Sequence, residues 1–417
     1  MKKITILLFL PLFTVAQDFE NKQTKHNNIS FSSSVIAESD DLSTDFFNTM
    51  LFGGFITDQM KEDWINSGDD INRLNAEVRN SFHYSFLTEK MSSFYLTFSD
   101  VNTINSSFND GLLKLAFHGN FDYQDETLDF SNTILRADRY QQYKFGYNFI
   151  KDLNNNNSLE INTAFSYLSG NHHAQFHINK GSLYTAPLGT SLDVNYDINA
   201  LVTDTTDLSL FAGNGSGLAT DFSFTYNKDE SEIYSICVKD FGFINWNENS
   251  IVASTDSTFS FSGIEIDDFD NMFDFNDSIL DISTDVVDNE NKKFRSYIPA
   301  KISFNYTKKL DYVIFKDLRT VITSRWQAYE IDKGGLFLRG FEESAYRTSV
   351  DIATMMDLKY LYSYVGFCAG GYTDGTKIHL AITNKGRNLM IGTYNFDSLF
   401  KEDKTKLSGY LQLSARF

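Results

Sequence analysis

Hydrophobic and polar residues alternate with a period of two along much of the chain. In residues 76–86 one side of the pattern carries Ala, Val, Phe and Tyr, while the other carries Glu, Arg, Ser and His. Residues 143–149, 192–200 and 294–306 repeat the pattern. Because successive side chains of a strand point to opposite faces, the alternation predicts strands with one apolar face and one polar face.

The alternating runs are longer than the strands of most soluble proteins. Many extend over roughly 10 to 13 residues, whereas soluble strands have about five or six and a tilted membrane strand needs about 9 to 11. The chain also ends in a strictly alternating run, 407–417, that closes on Phe417, as outer-membrane barrels do. We therefore predict an all-β fold: a transmembrane antiparallel β-barrel of about 14 to 16 strands with long external loops. A soluble exported β protein is the alternative.

Short turns and long connections interleave along the chain, as expected when one end of a barrel carries tight turns and the other carries loops. The long connections are residues 39–74, 103–138, 203–217, 245–293, 329–343 and 397–406, of which 39–74, 103–138 and 245–293 could act as long loops or plug elements. With both termini at the periplasmic end, about 16 strands fit the pattern, provided that residues 258–261 form a hairpin inside an external loop. The alternative is a 14-strand barrel with an N-terminal plug.

Composition and charge narrow the function. The chain has 417 residues, 15% aromatic residues and only 3 Pro, which favours strands over disorder or helical repeats. Its formal net charge of −19 argues against a nucleic-acid partner, which normally needs a basic surface. The two cysteines, Cys237 and Cys368, lie in apolar segments that have the pattern of strands, and we expect two free thiols rather than a disulfide.

The N-terminus has the pattern of an export signal. Lys2 and Lys3 precede a short apolar run, and Thr14 to Ala16 offer a cleavage site before Gln17. We expect residues 1–16 to be a signal peptide and residues 17–417 to form one barrel domain in the cell outer membrane. The apolar run has about a dozen residues, which is too short for a spanning helix.

Charged residues on the polar sides of two predicted strands are candidates for the lumen. Glu77, Arg79 and His83 share one side of the first strand, and Asp193 and Asp197 share one side of the second. Similar residues occur in any polar lumen, so the pattern predicts the wall of a lumen and does not indicate a catalytic site.

An acidic segment at residues 264–290 contains ten Asp and Glu residues and no Lys or Arg. Asp267, Asp270, Asp274, Asp277 and Asp281 form the candidate acidic loop site. Clustered carboxylates suit Ca²⁺, but the Asp-x-Asp-x-Asp-Gly pattern of calcium loops is absent. A solvated acidic loop is therefore the favoured interpretation, and no metal or other cofactor is expected.

Several histidines are candidates for metal binding or catalysis, but their spacing is weak support for either. His172, His173 and His177 form a His-His-x-x-x-His pattern, in which a strand would place only the last two on one face. His83 lies between Ser81 and Ser85 on one strand face, as a Ser–His enzyme could require. No Gly-x-Ser-x-Gly motif occurs, so we expect that the protein is not an enzyme.

One stretch resembles a known family. A Gly-rich turn at residues 213–217 leads into a strand, then Asp-Phe-Gly-Phe-Ile-Asn-Trp at 240–246, and then Phe-Ser-Phe-Ser-Gly at 259–263. This order is similar to a family of exported Gram-negative barrel proteins of unknown function, in which Leu usually stands where Phe241 stands here. That family is similar in architecture to long-chain fatty-acid transporter barrels and to the barrel subunit of the type IX secretion system. The resemblance implies an outer-membrane barrel and carries no catalytic residues.

The functional expectation follows from a polar lumen combined with apolar connections that do not alternate. We expect passive uptake or transport of a small hydrophobic molecule, with residues 39–74 and 103–138 as partial gates. The expected partners are outer-membrane lipid and that ligand, with no nucleic acid. The alternative is a non-conducting interaction barrel that serves protein secretion or surface-protein attachment.

Overall fold

The fold is described from a computed structural model. It describes residues 27–39, 42–43, 49, 53–67, 71–88, 92–153, 156–204, 209, 211–229, 231–261, 288–331, 335–340, 346–373, 375–400 and 406–417. The expected signal peptide and the acidic loop site at Asp267, Asp270, Asp274, Asp277 and Asp281 lie outside these residues.

The described chain is dominated by strands. In chain order they are β1 Asn28–Ser39, β2 Asn72–Leu87, β3 Ser93–Phe108, β4 Thr127–Asp129, β5 Thr133–Asp152, β6 Ser158–Thr185, β7 Leu192–Val202, β8 Gly215–Lys228, β9 Glu232–Trp246, β10 Ile251–Phe261, β11 Asp288–Asn291, β12 Arg295–Ile298, β13 Ala300–Lys309, β14 Phe315–Ile331, β15 Gly335–Gly340, β16 Arg347–Asp357, β17 Leu361–Gly371, β18 Thr376–Asn384, β19 Leu389–Thr393 and β20 Lys406–Arg416.

Fourteen antiparallel strands of the described residues form a closed ring. Its order is β1, β2, β3, β5, β6, β8, β9, β13, β14, β16, β17, β18, β19 and β20, and β20 pairs back to β1. The closing ladder runs from Asn28 opposite Arg416 to Glu38 opposite Lys406. Closure removes free strand edges, which is the requirement for a sheet in lipid. The predicted fold class, with its alternating final strand, is confirmed.

The ring has fourteen strands, the lower end of the predicted range of 14 to 16, because β7 and β10 are not part of the ring. Strand β6 has 28 residues, whereas its neighbours in the ring, β5 and β8, have 20 and 14. Its first half pairs with β8, and its second half pairs instead with β7, which pairs with β10. Residues 258–261 are therefore strand residues opposite β7 and do not form a separate hairpin.

A sheet continues past one end of the ring, and we name it the extension. It consists of β4, β7, β10, β11 and the second half of β6. Of its strands, β4 lies within the connection expected at 103–138, and β10 and β11 lie within the one expected at 245–293, so strands replace part of each expected loop. Beside β4, Tyr184 donates a hydrogen bond to Asp125 over 3.1 Å, and this bond raises the pKa of Tyr184.

The two ends of the ring differ. Tight turns close β2–β3, β5–β6, β8–β9, β16–β17 and β18–β19, for example with Leu153 N donating to Asn157 O over 2.7 Å. Asn28 and Arg416 lie at this same end, which we name the tight-turn end. The extension projects from the opposite, long-loop end.

The ring is apolar outside and polar inside, which is the reverse of the arrangement in a soluble protein. Exposed aromatic and aliphatic side chains cover its outer surface, among them Phe82, Leu96, Tyr143, Phe165 and Ile391. Aromatic contacts reinforce this belt, as between Phe94 and Tyr147 with ring centroids 4.8 Å apart. Buried Ser, Thr, Asn and charged residues face inward. An outer apolar belt of this kind is suited to a lipid environment.

Helices are few in the described residues. Helix α1 is Asp58–Ser67 and α2 is Asp110–His118, with 3₁₀ turns at Phe121–Tyr123, Pro187–Gly189 and Phe396–Phe400. Leu42, Trp64, Phe108 and Leu113 form an apolar cluster that joins the two helices to the end of β3. Through this cluster the two helices pack against each other. Asn72 at the start of β2 donates to Asp110 over 3.2 Å, which places the second helix at the long-loop end of the ring.

No helix among the described residues has the length and apolar character needed to cross a bilayer. Cys237 and Cys368 are both free thiols, as predicted.

Candidate functional site: a divided lumen

A cavity of about 780 Å³, which we name the vestibule, occupies the lumen at the tight-turn end. Turn residues such as Leu87, Leu310 and Asp357 border it, so it reaches that end of the ring. Inward-facing positions of β2, β3, β5 and β8 form part of its walls, including His83, Tyr95, Lys144 and Asp221. Its volume falls within the range of small-molecule sites.

The vestibule is built by the same alternation that builds the outer belt. On β3, Tyr95 and Thr97 face the vestibule, while Leu96 and Phe98 between them are exposed on the outer surface. His83 of β2 is hydrogen-bonded to Thr97, with Nδ1 and Oγ1 2.9 Å apart. Tyr95 donates to Asn162 of β6 over 2.8 Å. Hydroxyl and amide groups of adjacent strands therefore hold one another in place around the cavity.

At the inner boundary of the vestibule, charged side chains from opposite walls meet. We name this set the charged layer: Glu77, Arg79, Lys144, Asp221, Asp240 and Arg325. Arg325 of β14 donates to Glu77 of β2 over 2.8 Å, and Tyr372 donates to the same carboxylate over 3.2 Å. All six side chains are largely buried.

The bond between Arg325 and Glu77 shows that the ring is flattened. Between β2 and β14 lie β1 and β20 to β16 on one side and β3 to β13 on the other, so the two strands face each other. The walls of a circular ring of this size would be roughly 20 Å or more apart, beyond the combined reach of two side chains. The flattened section lets side chains of opposite walls make direct contact.

Asp240 is the hub of the charged layer. It accepts hydrogen bonds from Gln142 at 2.8 Å, Arg79 at 3.1 Å and Lys144 at 3.3 Å. The backbone N–H of Asp240 donates to Asp221 over 2.8 Å, and Lys144 also pairs with Asp221. A register shift between β8 and β9 places Asp240 at φ 59°, in the left-handed region that Asp tolerates better than most residues.

On the long-loop side of this layer, the lumen is packed with apolar side chains. We name Val101, Tyr140, Leu168, Ile244 and Trp246 the Trp246 cluster, in which Trp246 is 1% exposed. Trp246 donates to Ser296 over 2.8 Å, which satisfies its only polar group. The charged layer and this cluster therefore follow one another along the lumen on the long-loop side of the vestibule.

Replacing Gly170 by alanine is expected to destabilise the barrel by about 1 to 3 kcal/mol. A Cβ at this position would lie 2.6 Å from the Trp246 ring and 2.8 Å from Ile244, so the packed cluster must shift. Urea unfolding in lipid vesicles measures the loss. Gly409→Ala is the control, because a Cβ at Gly409 of β20 meets nothing within 4 Å. Equal stability of the two variants would contradict the packing described for Trp246.

The histidines are placed differently from one another. His173 is buried, lies 2.7 Å from Asp138 through Nδ1, and stacks on Trp246 with ring centroids 5.4 Å apart. His172 lies on the other side of the strand, near Ser209 O at 3.2 Å. In the part of the chain that the structure describes, no group of three or more His, Cys, Asp or Glu is arranged to hold a metal ion.

The residues expected in the lumen divide into two groups. Glu77, Arg79 and His83 lie inside the ring, the first two in the charged layer and the third in the vestibule. Asp193 and Asp197 lie instead on β7 in the extension, where Asp193 is exposed and Asp197 accepts a bond from Asn179 over 3.0 Å. Their alternation is that of a barrel strand, but β7 leaves the ring because its partners are the second half of β6 and β10.

The sequence analysis did not identify four residues of the charged layer: Lys144, Asp221, Asp240 and Arg325. Asp240 is the first residue of the motif at 240–246, which in the sequence indicates only the family resemblance. Lys144 lies opposite Phe145 and Tyr143 in an alternating strand, which was a usable signal. The partners themselves come from strands up to 248 positions apart, so no local pattern could pair them.

The closed fourteen-strand ring, its apolar outer belt and its polar lumen define an outer-membrane type of β-barrel. The chain belongs to DUF5723, a family of unknown function, whose profile matches residues 8–380. The resemblance noted from the motifs at 213–263 is thereby confirmed.

Comparison with solved structures gives similar barrels at low identity. A deltaS2S3 mutant of the TodX monoaromatic hydrocarbon channel matches with a TM-score of 0.45 and 8% identity, covering 94% of this chain and 91% of that one. The toluene transporter TodX of Pseudomonas putida matches with a TM-score of 0.36 and 8% identity, covering 94% and 88%. The translocator domain of the autotransporter NalP from Neisseria meningitidis matches with a TM-score of 0.38 and 6% identity, covering 96% of this chain and 91% of that one. Among curated proteins, none matches this sequence.

Proposed function

We propose that this protein is a gated barrel of the outer membrane that passes a small solute between the exterior and the periplasm without catalysing a reaction. The observation that carries the proposal is the division of one lumen into a vestibule at the tight-turn end and a layer of paired charges above it. In outer-membrane barrels short turns face the periplasm, so the vestibule would open there.

The charged layer has the properties of a gate. It consists of wall side chains, so no strand needs to leave the ring when it opens. Arg325, Glu77 and Arg79 are linked only by side-chain contacts, and rotamer changes in such groups are fast compared with strand rearrangement. The resting state would admit few solutes, and outer-membrane lipid would surround the belt.

The polar lining of the vestibule changes the expected cargo. A small hydrophobic molecule would leave many hydroxyl, amide and charged groups without partners, which is costly in a buried site. The lining therefore favours a polar solute over the hydrophobic one that the apolar connections first suggested.

Solute influx into liposomes that contain the pure protein tests the proposal. We expect a low but measurable influx of small neutral solutes, with brief single-channel steps in planar bilayers. Heat-denatured protein in the same liposomes is the control for leakage. The proposal fails if neither the native barrel nor a variant with a broken charged layer passes any solute above that control.

A non-conducting interaction barrel is the second candidate, and one observation favours it. The extension carries its own sheet beyond the ring, with Asp193, Asn195 and Asp256 exposed on one side. A secretion or surface protein could bind there without using the lumen. Crosslinking in intact outer membranes followed by purification of the barrel tests this candidate, and recovery of the barrel alone would count against it.

A further inference from the structure

We propose that the vestibule is a binding site for a small neutral polyhydroxylated solute, a mono- or disaccharide. The inference rests on the proposed transport function, since it names the class of solute that the vestibule would accept.

Uncharged polar side chains dominate the vestibule. Seventeen of the residues that line it are Ser, Thr, Asn, Gln or Tyr, compared with six that are Leu, Ile, Phe or Met. Hydroxyl groups both donate and accept, and amide side chains present both functions. A sugar ring presents several hydroxyls that also donate and accept, so each can pair with such a wall. A hydrocarbon cannot.

The charges of the lining nearly cancel. Six Lys and Arg residues and five Asp and Glu residues border the cavity. Several are already paired, as Lys144 is with Asp221, and Asp357 is with Lys316 at 3.9 Å. A wall of this kind has no large excess of either sign with which to attract an ion. A neutral solute fits this balance better than an anion or a cation.

Two amide oxygens in the lining have no hydrogen-bond partner within the protein. They are Asn148 Oδ1 on β5 and Asn28 Oδ1 on β1, and both atoms are buried. Asn148 is held in place, because its amide N–H donates to Glu160 over 2.8 Å. An acceptor that is fixed, buried and unsatisfied is costly unless a donor approaches it. Hydroxyl groups of a bound sugar would supply that donor.

The ring of Tyr95 adds an apolar surface beside these polar groups. It lies 5.3 Å from the His83 ring, and its hydroxyl is fixed by Asn162. A sugar ring has an apolar face of C–H groups as well as its hydroxyls, and an aromatic ring flanked by amides can contact both. A cavity of about 780 Å³ has room for one or two sugar rings.

Isothermal titration calorimetry on the full barrel in detergent micelles tests the inference, with sucrose and glucose as probes. Toluene, glycylglycine and citrate serve as hydrophobic, zwitterionic and anionic comparisons. We expect sucrose to bind in the millimolar range. Binding should be about fivefold weaker in Asn148→Leu, because one hydrogen-bonding amide is lost. Asn28→Leu is the second variant, in case Asn148→Leu disturbs Glu160.

Asn102→Leu is the matched control. Asn102 also donates to a carboxylate, that of Asp100 over 3.1 Å, but it alternates with the inward residues of β3 and is not part of the vestibule lining. Sugar binding that is weakened in both vestibule variants and unchanged in Asn102→Leu supports the site. Equal binding in all variants would overturn it, because the sugar would then lie elsewhere.

The outcomes separate this inference from the proposed function. If no sugar binds, or if toluene or glycylglycine binds more tightly with the same sensitivity to Asn148→Leu, the solute class is wrong. The transport proposal would still stand if other solutes entered liposomes. If sugars bind at the vestibule and no solute crosses in any variant, the binding site stands and transport fails.

Discussion

Replacing Arg325 by alanine is expected to raise solute influx through the reconstituted barrel by roughly tenfold or more. Arg325 joins β14 to Glu77 of β2 on the opposite wall, and it also lies 5.1 Å from the rings of Tyr346 and Tyr372. Alanine removes the side chain that spans this gap. A barrier lowered by only ~1.4 kcal/mol increases a rate tenfold, so even a partial opening is measurable.

Single-channel conductance and liposome swelling both measure this effect. Arg295→Ala is the matched control, because Arg295 is an exposed arginine at the long-loop side that bonds Asn245 over 2.7 Å and packs on Phe243. Glu77→Gln keeps the size of the side chain and removes its charge, and it should give a smaller increase. If Arg325→Ala is folded and conducts no more than Arg295→Ala, the charged layer is not the barrier.

Replacing Asp240 by alanine is expected to lower the stability of the barrel by about 3 to 5 kcal/mol, the usual cost of breaking a buried ion pair. Asp240 accepts from Arg79, Lys144 and Gln142. Its removal leaves Arg79 with Glu77 at 3.6 Å and leaves Lys144 with Asp221 alone. Alanine also tolerates the φ of 59° less well than aspartate does. Urea unfolding in lipid vesicles measures the change.

Two further variants separate charge from backbone conformation. Asp240→Asn keeps an acceptor and the tolerance of a positive φ, so it should lose less stability than Asp240→Ala. Adding Arg79→Met to Asp240→Asn removes a cation that has lost its main partner, and it should restore part of the loss. Asp256→Ala, at an exposed position of the extension, is the control. A loss no larger than that of Asp256→Ala would contradict the role of Asp240 as the hub.

Period-two alternation carried most of the fold prediction, and the reasons are local. The run from Tyr143 to residue 149 needs only its own side chains to place Phe145 outside and Lys144 inside, because a strand has two faces. The final strand, β20, was evident for the same reason. Glu77, Arg79 and His83 could be selected as inward-facing from the sequence, since they share a face with Ser81 of a strand whose other face is apolar.

The same signal failed where pairing depends on a distant strand. Asp193 and Asp197 alternate as barrel residues do, yet β7 pairs with the second half of β6 and with β10 outside the ring. Nothing within residues 192–202 differs from a ring strand. The length of β6 decides the matter, because a strand of 28 residues extends beyond the ring and offers pairing positions there.

The alternation along the chain is sufficient to predict a barrel with an apolar exterior, a polar lumen, and turns that alternate with long connections, because each strand must match lipid on one face. The fourteen-strand ring, its flattened section, and the contacts of Arg325 with Glu77 and of Asp240 with Arg79 and Lys144 become apparent only in the folded chain. These contacts join strands far apart in the chain. Their existence depends on the closure and cross-section of the whole ring, which no single strand encodes.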